Sequence, residues 1–171
     1  MGLFNKILGN KVESNTATDT LPKIKKAVQD FFLINLIQIP DDTFVEGEIE
    51  VNEKGETTIH YRKNLDYLEA GIFDTIEVLK IPNTNSKTIW FQSFDLSKAN
   101  LNKVKELIDS LYLINGVDDL GNGKFNSEDE KHYYSKEYDV LFTRMWGSGI
   151  FQGILNISRE NNTIQLTLFN P

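Results

Sequence analysis

Hydrophobic positions recur every three or four residues over residues 100–116, and this is the clearest periodic stretch in the chain. Leu101, Val104, Leu107, Ile108, Leu111 and Tyr112 fall on one helical face, while Asn102, Lys103, Lys105, Glu106, Asp109 and Ser110 fill the other. Asn100 can cap the first turn through its side-chain oxygen, and Asn115-Gly116 supplies a left-handed stop. The pattern predicts an amphipathic helix with one face in the core.

Residues 20–35 show the same pattern at an offset of 80. Leu21, Lys23 and Lys25 match Leu101, Lys103 and Lys105, and Leu33-Ile34-Asn35 matches Leu113-Ile114-Asn115. Ile24, Val28 and Phe32 fall on Val104, Ile108 and Tyr112, and Thr20 takes the capping place of Asn100. Strand-like segments follow each stretch. The expectation is an α+β fold with a predominantly antiparallel sheet and two long amphipathic helices on one face. A tandem repeat of helix plus β-meander would divide residues 20–171 into halves 20–99 and 100–171.

Alternating patterns predict the strands. Residues 43–51 carry Val45, Gly47, Ile49 and Val51 on one face and Phe44, Glu46, Glu48 and Glu50 on the other. A loop around Gly55 then turns the chain into residues 57–63. Pairing Ile49 with Ile59 would set Glu48 opposite His60 and Glu46 opposite Arg62, joining apolar to apolar and acid to base. Residues 65–71 read as a helical turn. Residues 72–81 and 88–94 are the next strands; Trp90, Phe91 and Phe94 make the second a central one. The last third reads as a meander of residues 138–146, 150–158 and 163–169, with Ile157 against Ile164 and Leu155 against Leu166.

Composition narrows the classes. A chain of 171 residues with 40% hydrophobic and 25% charged residues suits one globular domain. It has no cysteine, which removes disulfide and thiolate chemistry. A net charge of −7 argues against a nucleic-acid partner held by bulk electrostatics. Residues 1–19 read as a short helix and a polar linker, with Leu3, Phe4, Ile7 and Leu8 on one side. That apolar run is too short for a signal peptide or a membrane span. Residues 1–26 are net +3, leaving −10 elsewhere, so peripheral membrane contact through residues 1–11 is one option.

Candidate chemistry is sparse. The Glu48–His60 pair could serve acid–base catalysis, but an exposed sheet face with complementary charges is the preferred reading of the same residues. His132 beside Tyr133 and Tyr134 could line a pocket. It lacks companions at zinc-ligand spacing. Residues 118–129 imitate a calcium loop, with Asp118, Asn122, Asn126 and Asp129 at positions one, five, nine and twelve and Gly123 at six. Leu120 stands where position three needs an oxygen, and Asp129 replaces the usual bidentate Glu. Ser127 and Glu130 are spaced as a capping box for a short helix. The Gly147-Ser148-Gly149 turn precedes a strand, whereas a nucleophile elbow precedes a helix. No Walker or dinucleotide fingerprint is present, and no cofactor is expected.

These features point to a non-enzymatic, cytoplasmic interaction protein: an adaptor, a chaperone or an immunity-type binder of one protein partner. Glu46, Glu48 and Glu50 form one candidate contact. Arg144 and Trp146, alternating with Val140 and Phe142, form another if that face is exposed. The alternative is a small-ligand-binding domain or enzyme assembled around His60, Glu48, His132 and Tyr133. An assembly subunit joining through sheet edges or residues 121–129 is a third class.

Overall fold

The computed structural model describes residues 38–65, 72–147 and 152–169. Within them the fold is α+β: seven strands in a single sheet, every neighbouring pair antiparallel, with two helices. The strands are β1 (Val45–Val51), β2 (Thr57–Asn64), β3 (Thr75–Lys80), β4 (Lys87–Ser93), β5 (Val140–Trp146), β6 (Gln152–Ser158) and β7 (Thr163–Phe169). The helices are α1 (Leu101–Asn115) and α2 (Ser127–Tyr134), and a 3-10 turn, Leu96–Lys98, leads into α1.

The sheet order is β1-β2-β3-β4-β7-β6-β5. A meander of four strands runs to the centre, the helices carry the chain to the far edge, and a second meander walks back. The two meanders join where Ile89 opposes Leu168 and Phe91 opposes Leu166. The expected partners Ile157–Ile164 and Leu155–Leu166 are present.

Helix α1 follows its sequence pattern. Asn100 accepts a hydrogen bond from Lys103 N–H at 3.2 Å, and Gly116, at φ 81°, ends the helix. Val104, Leu107, Ile108 and Leu111 are buried in one cluster with Ile76, Val78, Ile89, Phe91, Leu155, Ile157, Ile164, Leu166 and Leu168. Each such side chain removed from water stabilises the fold by about 1.5–3 kcal/mol. Helix α2 starts one residue earlier than the Ser127–Glu130 box implies. Asn126 is the cap, and Asp129 answers back to the Asn126 N–H.

Helix 20–35, the residue 1–11 segment, most of the 65–71 turn and Ser148-Gly149 lie outside the described residues. Of the two helices on which the expected repeat rests, only the second is therefore described. Its two meanders differ, with four strands in the first and three in the second. No helix among the described residues is long and apolar enough to cross a membrane.

Candidate protein-binding edge

The β1–β2 hairpin pairs Ile49 with Ile59 as the alternation requires, but not over its whole length. Glu46 opposes Tyr61, so three steps along β1 match two along β2, and a bulge falls at Gly47-Glu48. The extra residue reverses the faces beyond it. Glu46 shares the face of Ile49 and Val51, whereas Val45 lies with Arg62 on the other face. The predicted Glu48–His60 and Glu46–Arg62 pairs are thus replaced.

His60 has different acidic neighbours. Its Nδ1 lies 2.7 Å from Glu77 Oε1 on β3, and its Nε2 lies 3.6 Å from Glu50 Oε2 on β1. The Trp90 ring meets the imidazole edge-on at 6.5 Å between centroids. His60 is 8% exposed. Burial alone would push its pKa down; the Glu77 hydrogen bond and charge, with Glu50 behind them, overcome this and raise it. The pair with Glu77 joins β2 to the next strand, β3, so the register of the β1–β2 hairpin could not show it. Both ring nitrogens face carboxylates.

Around this point the chain's charge is concentrated. Residues 41–56 hold seven carboxylates and one lysine, a net of −6 out of −7 for the whole chain. Strand β1 carries much of it on the outside of the sheet, with no strand beyond it among the described residues. Every residue of β1 is exposed, including Val45 at 71%, Ile49 at 57% and Val51 at 63%. Three aliphatic side chains in water on an edge strand are unusual in a sheet whose inner strands bury theirs.

The opposite edge is built differently, and it corrects the second predicted contact. Arg144 and Trp146 are each 4% exposed, because their face of β5 lies under the helices. Arg144 Nη2 meets Asp129 Oδ1 of α2 at 2.6 Å, and Trp146 Nε1 donates to Gly116 O at 3.3 Å. Neither side chain is available to a partner. Six strand spacings of about 4.8 Å put β5 roughly 29 Å from β1, so the two predicted contacts could not form one surface.

The same spacing separates the predicted ligand residues. His60 on β2 and His132 beside β5 lie about five strand spacings, or roughly 24 Å, apart. His132 Nδ1 is 3.1 Å from Leu141 O, which can only accept, so that nitrogen carries the proton. Tyr133 donates its hydroxyl to Ala99 O at 2.9 Å, tying α2 to the start of α1. His132 does border a cleft of about 800 Å3 between α2 and β5, with Asp129 and Arg144 also in its wall.

The residues of the calcium-like loop do not converge. Asp118 is buried and accepts from Leu120 N, Asn122 N and Asn122 Nδ2. Asn126 caps α2, and Asp129 serves both that cap and Arg144. The spacing that imitates an ion-binding loop instead closes a turn and starts a helix. No family model, no characterised protein and no solved structure matches this chain.

Proposed function

We propose that this protein is a non-enzymatic interaction module, and that β1 is the edge through which it holds a partner. The observation that carries this reading is the complete exposure of Val45–Val51, aliphatic residues included, at the most acidic part of the chain. An edge strand presents a row of backbone donors and acceptors that an extended segment can pair with, and its side chains select which segment. Here the selection is for positive charge. The same carboxylates repel a second copy of β1, so they guard the edge against self-pairing while admitting a basic strand.

The strand order also supports the duplication reading. Strands β2-β3-β4 and β5-β6-β7 each walk inward and meet at β4–β7, as a two-fold axis normal to the sheet would arrange them. On this view β1 is an addition to one half, which fits a role outside the common core.

The test is fluorescence anisotropy with a labelled, lysine-rich extended peptide. Saturable, salt-sensitive binding is expected, weakened about tenfold or more in E46K/E48K/E50K, with folding intact. A peptide with alternate backbone amides methylated should fail to bind, because it cannot complete the ladder. Equal binding by the triple variant would exclude β1 as the site.

A further inference from the structure

The bulge divides β1 into two parts, and only the part beyond it has a regular alternation. There Ile49 and Val51 lie on the face of Ile59, and Glu50, opposite Thr58, lies on the face of His60. A strand added alongside would set its own side chains beside these in the same alternation. Its residues next to Ile49 and Val51 would cover exposed aliphatic surface. The residue between them would reach Glu50.

Glu50 already has a neighbour of its own. The charges that act on His60 are Glu77 from β3 and Glu50 from β1; Arg62 shares its face of β2, Glu48 sits in the adjoining bulge, and β4 contributes the uncharged Thr88, Trp90 and Gln92. Glu77 is bound to His60 Nδ1 at 2.7 Å and stands directly opposite Arg62 in the β2–β3 register. Glu50 is 59% exposed and reaches only Nε2, at 3.6 Å, beyond hydrogen-bond length. It is the looser of the two carboxylates on His60 and the one that faces the free edge.

Resting on the reading of β1 as the docking edge, we infer that the segment it takes up alternates basic with apolar residues, and that a lysine or arginine of that segment takes Glu50 over from His60. An imidazolium competes with the incoming cation for one carboxylate, whereas a neutral imidazole does not. Binding therefore strengthens as pH rises and His60 loses its proton.

The probes are two peptides of equal composition, one alternating lysine and valine (KVKVKVK) and one with the same residues in blocks (KKKKVVV), each titrated into the full chain between pH 5.5 and 8.5. The alternating peptide should bind more tightly than the blocked one at every pH. Its affinity should rise about twofold to fivefold across the range, the size of one exposed ion pair. H60Q should bind it with a flat profile. E50Q, at an exposed position, should lose both the pH dependence and part of the affinity. Equal binding of the two peptides, or one pH profile shared by the native chain and both variants, would overturn this inference while leaving β1 as the docking edge. Binding that survives E46K/E48K/E50K unchanged would instead remove the docking edge itself.

Discussion

The two edges of this sheet face the same physical problem and meet it in opposite ways. At β5 three alternate carbonyls are already occupied: Leu141 O by His132 Nδ1, Thr143 O by Arg144 Nη1 and Met145 O by the Asp119 N–H. Helix α2 flanks the strand, and an ion pair fastens helix to sheet. At β1 none of these devices is present among the described residues; its protection is a bulge and carboxylates that the bulge distributes over both faces. Capping an edge closes it to every strand, whereas charging it closes it to strands of like charge only. Among the described residues, β1 is therefore the edge protected by charge and a bulge rather than by a cover.

If β5 is a closed structural edge, breaking its fastening should be costly. Arg144 and Asp129 have side chains 5% and 12% exposed. Removing one partner strands a buried charge, so D129A should lose about 3–5 kcal/mol in urea unfolding. The double variant D129A/R144M should recover much of that, since no unpaired cation remains. A loss under about 1 kcal/mol for D129A would mean that the pair is open to water. A smaller effect belongs to the carbonyl cap. H132F keeps a ring tilted against Tyr138, 4.1 Å away between centroids, but removes the donor to Leu141 O, and should cost about 1 kcal/mol.

The two edges also mark where the sequence was legible. Local periodicity showed α1 with its caps, the antiparallel character of the strands and the Ile157–Ile164 hairpin, because each depends on neighbours in the chain. The chain showed Arg144 and Trp146 on one face of β5 but not which face the helices would cover. That choice is made by the crossover from β4 to the far edge. His60 misled for a related reason. A hairpin register can be read along the chain, but one extra residue at Gly47-Glu48 moved Glu46 to the other face, and the true partner arrived from β3. The acidic concentration at residues 41–56 was visible throughout. Its meaning required knowing that β1 ends the sheet.

The pH dependence of stability tests the environment of His60 at the open edge. Its pKa is raised in the folded state because Glu77 and Glu50 outweigh burial. A raised folded value means that the folded state binds the proton more tightly than the unfolded chain. The stabilisation is fully present below the ordinary histidine value of about 6.5 and is lost as pH rises through the folded value. Urea midpoints should therefore fall from pH 6 toward pH 8.5 in the native chain, and H60Q should lack that component. A midpoint that rose over this interval would show that burial dominates and that His60 is neutral in the fold.

The smallest effect is expected where the contrast between the edges is sharpest. V45T/I49T/V51T replaces three aliphatic side chains by a residue of similar branching and strand preference. Buried, such changes would each cost on the order of 1 kcal/mol or more, through lost apolar burial and an added hydroxyl needing a partner. With these residues 57–71% exposed, the triple variant should stay within about 0.5 kcal/mol of the native chain. It should nonetheless bind the alternating lysine–valine peptide more weakly, because the apolar half of the match is gone. Stability and binding would then separate on the same three residues. A loss of stability beyond about 2 kcal/mol would mean that β1 is covered within the chain itself, and the two edges would differ in the manner of their closure alone.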